Sequence, residues 1–476
     1  MPTLDILSKA KQDNINVSGI SFDTRRLVKD NIFFAIPGSK DNGLKYIKVA
    51  ITKGASAIVV PYTFKKSFIK EIPIYKVHKI RTVLSETSFK FYSNDIRYKI
   101  AVTGTNGKTS VAFFINFLLS SFKKKSATIG TLGSSAGRVL RENLTTPDPV
   151  TLAKEMKLLD SKNIDYAIIE ASSHGLHQKR FSSLKFDLSI LTNISHDHLD
   201  YHKNISHYIS SKLDLFKFYT HNKGKSLINS DTKHLNKIKS SLNKDKINYN
   251  LLSNSSKKYG IKNIIIKKNI TIVDVCIKSK LYKFKFKDFP IFQIKNFILA
   301  AVGLSLIGFD EKKMTRLSIK CPHVTGRMEL AGKKKNGARV YIDFAHTPDA
   351  LKNVLLEAKL ICRGQLVVLF GCGGNRDKKK RPIMGNIAER FSDIGIVTDD
   401  NPRDENADKI RQEILKNSQR LINLKNRRTA IKKSISLLKC EDILIIAGKG
   451  HEKYQIIKDK RLPFDDLKIA KSFLTR

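Results

Sequence analysis

The run Lys99-Ile-Ala-Val-Thr-Gly-Thr-Asn-Gly-Lys-Thr-Ser110 sets a short apolar strand, Ile100 to Val102, directly before a glycine turn and a helix. The spacing of Val111, Phe114, Ile115, Leu118, Leu119 and Phe122 predicts that helix. Together the three pieces form a phosphate cradle. Gly104 and Gly107 let backbone amides approach an anion, and the helix N-terminus adds partial positive charge. Lys108 can reach terminal phosphates, and Thr109 offers a hydroxyl to Mg²⁺. The longer eight-residue signature has Gly where this chain has Val102, so the match is to the shorter form Gly-x-x-Gly-Lys-Thr.

At 476 residues the chain exceeds one hydrophobic core and suits two to four domains. The N-terminus reads Met-Pro-Thr-Leu-Asp-Ile, without a charged segment leading into an apolar one. The longest apolar run, Phe297 to Phe309, is too short to span a bilayer. A cytoplasmic protein without membrane insertion is expected. Cys276, Cys321, Cys362, Cys372 and Cys440 are scattered and form no Cys-x-x-Cys pair, which favours reduced thiols and no zinc site. The formal charge of +45 would suit nucleic acid, but the lysines are dispersed over the whole length without interleaved aromatics. Dispersed lysine reads as solvated surface, and no nucleic-acid partner is expected.

Along the chain, Ile32–Ile36 and Ala57–Val60 predict strands around a helix from Tyr46 to Gly54, a small α/β unit. From residue 98 strands and helices alternate, with strands at Tyr166–Ile169 and Leu188–Leu191, each followed by polar residues where open parallel sheets bind ligands. Leu227 to Lys287, rich in Lys, Asn and Ser, reads as β-hairpins and surface loops, and Phe292–Ala301 as a buried helix. Beyond Cys321-Pro322, strands at Arg339–Phe344, Leu366–Phe370, Ile394–Thr398 and Ile443–Ala447 alternate with helices, including one over Ala407–Leu421. The expected fold is α/β in three domains, 1–97, 98–321 and 322–476: a small N-terminal α/β domain, a central P-loop ATPase-like parallel sheet and a Rossmann-like C-terminal domain.

Three further features carry chemistry. Glu170 ends a buried strand beside the phosphate loop, where a carboxylate can hold Mg²⁺ or simply face a helix N-terminus. His196, Asp197, His198, Asp200 and His202 lie within seven residues, without a partner at zinc-finger spacing. Of these, His198 is the candidate Mg²⁺ contact. Lys212 lies on a predicted helix with Ile209, Leu213 and Phe216 on one side, where a lysine ordinarily snorkels to the surface.

Gly104–Thr109, Thr145-Thr-Pro147, Glu170-Ala-Ser-Ser-His-Gly175, Asn193-Ile-Ser-His-Asp-His198, Lys212 and Gly326-Arg-Met328 occur in the order and approximate spacing of the Mur ligases. These are ATP-dependent amide-forming enzymes of peptidoglycan synthesis. Asp343–Asp349, Phe370–Arg376, Asp400-Asn-Pro-Arg403 and Ala447–Glu452 resemble the branch that adds meso-2,6-diaminopimelate to UDP-N-acetylmuramoyl-L-alanyl-D-glutamate. The resemblance covers essentially the whole chain.

It implies that Gly104, Thr105, Asn106, Gly107, Lys108, Thr109 and Ser110 bind ATP with Mg²⁺, joined by Asn296, Arg327 and Asp343, with His346 nearby. Thr109, Glu170, His198 and Lys212 would hold metal, and Lys108, Glu170, His198 and Lys212 would serve catalysis, Lys212 as a carbamate. A carbamate is an anion that can orient Mg²⁺, whereas an ammonium would repel it. Thr24, Thr145, Thr146, Ser172, Gln178 and Arg180 match contacts to the UDP-sugar peptide, and Ser39 and Lys40 fall in a variable uridine loop. Arg376, Asp400, Asn401, Pro402, Arg403, Gly448 and Glu452 match the amino-acid site. A guanidinium such as Arg403 can grip the second carboxylate of diaminopimelate, and Glu452 suits an ammonium. Members that add L-lysine differ at that arginine. A folylpolyglutamate-type ligase shares the phosphate loop, but its folate site is not expected to need Asp400–Arg403 or Thr145-Thr146-Pro147. A basic nucleic-acid-binding P-loop protein would explain only the charge. A monomer is expected.

Overall fold

A computed structural model describes residues 4–38, 41–65, 72–134, 144–195, 197–198, 201–267, 270–287 and 289–474. Ser39, Lys40, His196 and Asp200 lie outside the described residues. The first sheet is parallel, with Gly19–Ser21, Asn31–Phe34, Ala57–Pro61 and Ile74–Val77 in chain order. Sequence reading finds only the middle two, whose apolar runs are continuous, whereas Gly19–Ser21 has three residues and Ile74–Val77 is interrupted by the exposed Lys76.

The second sheet centres on the Tyr98–Thr103 strand, paired in parallel with Phe186–Leu191 on one side and Tyr166–Glu170 on the other. Because a strand's side chains alternate, Ile100 and Val102 pack with the Lys108–Ser121 and Ile291–Leu306 helices. Ala101 packs on the opposite face with the Pro149–Ser161 and Ile205–Asp214 helices. Burial on both faces accounts for the continuous apolar runs. The loops after the three adjacent strands therefore meet at one edge of the sheet.

The stretch 227–287 bears out the hairpin expectation in its second half and departs from it in the first. Thr220–Asn229 and Asn250–Leu252 extend the parallel sheet, with a helix at Leu235–Lys244 between them. Only Ile238 and Leu242 of that helix are buried, so its lysine-rich face hides a narrow apolar stripe. Tyr259–Ile266, Ile270–Ile277 and Lys280–Lys287 then form a separate antiparallel sheet. Its Phe284 and Phe286 pack on Phe297 of the buried helix.

The last large sheet runs in the order Arg327–Lys333, Arg339–Asp343, Ile443–Ala447, Leu366–Phe370, Ile394–Val397, Ile422–Asn423. All its pairs are parallel except the first. The helix predicted over Ala407–Leu421 stops at Leu415, short of the Ile422–Asn423 edge strand. These are the parallel sheets and flanking helices of a multidomain α/β protein. Among the described residues, no helix is long and apolar enough to cross a membrane.

Candidate functional site

The phosphate loop is shaped by two glycines in conformations that side chains rarely adopt, Gly104 at φ 146° and Gly107 at φ 83°. A Cβ on Gly104 would lie 1.9 Å from Thr192 Oγ1, and one on Gly107 2.8 Å from Asn296 Oδ1. The run after the neighbouring strand clamps the loop. Asn193 Oδ1 accepts from Asn106 N–H at 3.0 Å, Thr192 Oγ1 donates to Asn106 O at 2.6 Å, and Thr105 N–H donates to Asn193 O at 2.8 Å. Thr105 Oγ1 also lies 2.9 Å from Tyr208 Oη. Ser110 is buried in the first turn of the following helix.

Two ammonium groups converge on this loop. Lys108 Nζ donates to Gly104 O at 3.0 Å and Thr105 O at 2.8 Å. Lys212 Nζ reaches the same Gly104 oxygen at 2.7 Å and lies 4.7 Å from the centre of the Tyr208 ring. Lys212 is 1% exposed, not a snorkelling surface residue, because its helix packs through Tyr208, Ile209 and Leu213 on a face of the central sheet before a π-helical turn at Leu215–Tyr219. Burial holds Lys212 well below the ordinary lysine pKa, and the charge of Lys108 adds to the effect against the pull of Asp197. Burial lowers Lys108 as well, opposed by Glu170 and Asp197.

Glu170, at the end of its strand, is buried and accepts from Thr109 Oγ1 at 2.9 Å and from Thr131 N–H at 2.8 Å. Its own carbonyl accepts from Thr146 Oγ1 at 2.6 Å, and Thr145 Oγ1 lies 3.2 Å from Thr131 Oγ1. Ser172 caps the short helix that follows and donates its N–H to Thr146 Oγ1 at 2.9 Å. Arg180 donates to Thr146 O and, at 2.8 Å, to Gln178 Oε1. Thr24, Gln178 and Arg180 line a cavity of about 520 Å³ between the first two sheets, and Arg180 links its wall to Thr146, whose hydroxyl bonds to the Glu170 carbonyl. Arg81, which sequence reading did not single out, joins the lining and donates to Pro37 O at 3.1 Å. His198 is exposed at φ 53°, beside Asp197 and edge-on to His174. Among the described residues, no group of three or more His, Cys, Asp or Glu is placed to hold a metal.

Arg327 spans the two large sheets: its guanidinium lies 3.5 Å from Thr109 Oγ1 and 4.6 Å from the centre of the Phe344 ring. Asp343 is buried and accepts from Met328 N–H and Ala345 N–H, both at 2.7 Å. Burial raises its pKa while the charge of Arg327 holds it down. His346 Nδ1 lies 2.9 Å from Phe344 O, and burial pushes its pKa down to about 4.

The remaining residues gather at the carboxyl edge of the last sheet, on the loops after three adjacent parallel strands. Asp400 is buried, and its Oδ1 accepts from Asn401 N–H at 2.7 Å. Arg403, at φ 52°, donates to Gly374 O at 2.9 Å. Burial and the neighbouring charge of Arg376 lower its pKa. Pro402 and Gly448 shape the same edge: a Cβ on Gly374 would meet Pro402 O at 1.9 Å, and one on Gly448 would meet Asp400 Oδ2 at 2.7 Å. Glu452 has a resident cation, Lys449 Nζ at 3.4 Å, another residue that sequence reading missed.

The buried oxygens of Glu170 and Thr109 suit a hard cation, and the two ammonium groups at Gly104, Lys212 buried and Lys108 half-buried, suit an anion. Phosphate with a divalent cation satisfies both.

A model of the Mur ligase middle domain matches residues 102–304, and one of the Mur ligase glutamate ligase domain matches residues 326–450. The UDP-N-acetylmuramoyl-L-alanyl-D-glutamate–2,6-diaminopimelate ligase of Agrobacterium fabrum is 36% identical, over 99% of this chain and 96% of its own length. A solved structure of a ligase of the same name aligns at TM-score 0.66 with 29% identity, covering 96% of this chain and 95% of that one. The folylpolyglutamate synthase of Mycobacterium tuberculosis aligns at TM-score 0.65 but only 16% identity, over 78% of this chain and 92% of that one, and so shares the fold. The chain belongs to the Mur ligase family.

Proposed function

We infer that this chain is an ATP-dependent ligase that adds meso-2,6-diaminopimelate to UDP-N-acetylmuramoyl-L-alanyl-D-glutamate in peptidoglycan precursor synthesis. The observation that carries this reading is a phosphate cradle on which two ammonium groups converge, set in a chain that matches a ligase of that name along 99% of its length.

In this reading the Gly104–Ser110 loop grips the phosphates of ATP, with Lys108 as the cation nearest the transferred group. Asn296, Arg327 and Asp343 hold the nucleotide, and Arg327 couples the central and C-terminal sheets around it. Glu170, Thr109, His198 and Lys212 would hold Mg²⁺, which would supply charge neutralisation for the phosphoryl oxygens. Lys212 acts as a carbamate. Its burial favours the neutral amine, whose lone pair can bond to the carbon of CO₂ with loss of one proton, turning a misplaced cation into an anionic ligand.

The UDP-sugar peptide lies in the cavity lined by Thr24, Gln178 and Arg180, with Thr145, Thr146 and Ser172 leading its D-glutamyl γ-carboxylate toward Glu170. A carboxylate oxygen takes the γ-phosphoryl group, leaving ADP and an acyl phosphate. The neutral amine of diaminopimelate then attacks the acyl carbon, phosphate departs with the C–O bonding pair, and the nitrogen loses its proton to give the amide. Arg403 and Arg376 receive the distal carboxylate of the amino acid, and Asp400, Asn401 and Glu452 its ammonium end. The chain works as a cytoplasmic monomer.

Phosphate release by the purified protein with ATP, Mg²⁺ and the UDP-dipeptide tests the reading. Release with meso-diaminopimelate and not with L-lysine supports it. Release with lysine alone overturns the amino-acid assignment, and release with neither overturns the ligase itself.

A further inference from the structure

Lys449 follows the Ile443–Ala447 strand and Gly448 and is 0% exposed. Its ammonium donates to Asn401 Oδ1 at 3.0 Å and to Glu452 Oε2 at 3.4 Å. Asn401 closes the triangle, donating from Nδ2 to the same glutamate oxygen at 2.8 Å. Asn401 Oδ1 also accepts from Ile456 N–H at 2.9 Å.

The two ends of a carboxamide are nearly the same shape, so its neighbours decide which faces where. Two donors, Lys449 and Ile456 N–H, point at one end of Asn401, and only oxygen satisfies both. The NH₂ end is thereby turned to Glu452. That carboxylate receives two donors on Oε2, which leaves Oε1 to meet a further one. Burial and the charge of Asp400 raise the Glu452 pKa, while Lys449 and Asn401 hold it down and favour the carboxylate. A side chain needed only to fill this space would be better apolar, since burying an ammonium carries a desolvation penalty that packing alone does not return.

Resting on the reading that this edge takes diaminopimelate, we propose that Lys449 is a positioning residue for the amino-acid substrate. It locks the Asn401 amide and aims Glu452, so that the carboxylate meets the substrate's ammonium in one orientation. Lys449 itself touches no reacting atom.

The test is steady-state phosphate release by the full chain, varying ATP, the UDP-dipeptide and meso-diaminopimelate in turn, for the wild type, Lys449→Met and Lys449→Gln. In Lys449→Met the KM for diaminopimelate rises on the order of tenfold or more, as expected for loss of a charge-assisted hydrogen bond. The KM values for the other two substrates stay within about twofold, as for a substitution that leaves their contacts intact, while Tm falls as Glu452 and Asn401 lose a buried partner. Lys449→Gln, which keeps a neutral donor, lies between the two, and it carries the comparison by itself if the methionine variant does not fold. An unchanged KM for diaminopimelate overturns the proposal, as does a parallel rise in all three KM values, the mark of a merely structural lysine. If the wild type turns over lysine in place of diaminopimelate, or neither, the reading of the site fails and the proposal falls with it. A wild type active with diaminopimelate beside a normal Lys449→Met variant sinks the proposal alone.

Discussion

Lys108 and Lys212 donate to the same backbone oxygen, that of Gly104, at 3.0 and 2.7 Å. A buried and a half-buried ammonium group on one neutral carbonyl are poorly compensated, and among the described residues neither has a carboxylate within salt-bridge distance. Lys108 depresses the tendency of Lys212 to stay charged, and phosphate at Lys108 with a carbamate at Lys212 would relieve both.

Lys212→Met removes one charge from that pair and keeps the packing volume. Thermal stability is expected to match or exceed that of the wild type, while phosphate release falls by about 100-fold or more. Paired melting curves and turnover assays decide it. A methionine variant with near-normal turnover would show that Lys212 serves the fold and not the reaction.

Arg403→Ala removes the guanidinium from the carboxyl edge of the last sheet. The expected loss is about 10- to 100-fold in kcat/KM for diaminopimelate, the scale of one charge-assisted contact. KM for ATP should be unaffected, and equal losses in the two KM values would argue that the loop has collapsed.

Arg427 and Asp466 form an ion pair that is 0% exposed on both sides, at 2.7 Å. Arg427 also donates to Ala447 O at 2.9 Å, tying the pair to the strand that leads into Gly448. Arg427→Met alone leaves a buried carboxylate and is expected to cost about 3–5 kcal/mol. The double variant Arg427→Met/Asp466→Leu should recover most of that loss in urea unfolding. A double variant no more stable than the single one would mean that the bond to Ala447, not the ion pair, holds this region.

Glu405 accepts two hydrogen bonds from the buried guanidinium of Arg381, each at 3.0 Å. Those bonds hold its pKa at about 2, below the ordinary 4.5. A carboxylate lowered in the folded state adds stability that is complete above its unfolded value and is lost as pH falls through the folded one. Glu405→Gln is therefore expected to be less stable than the wild type by about 1 kcal/mol at neutral pH, after allowing for solvent screening. The gap should close between pH 4.5 and about 2. Urea midpoints at stepped pH measure it, and a gap independent of pH would assign the loss to packing.

Local information in the chain determined the phosphate loop, the flanking strands and the α/β class, because glycine conformation and apolar periodicity act over a few residues. The Leu366–Phe370 and Ile443–Ala447 strands fall where their apolar runs predict. The hairpins expected in 227–287 form over 259–287, but the Leu235–Lys244 helix goes unread because its lysine-rich face masks its two buried residues. The end of the helix begun at Ala407 is set by a six-residue link to an edge strand, which leaves no periodic mark. The tertiary structure alone decided which side chains share a site. The hydrogen bonds of Lys212 to Gly104 and of Lys449 to Asn401 join residues 108 and 48 positions apart. Whether a lysine snorkels or is buried depends on what the fold packs above it, and nothing in its neighbouring residues records that.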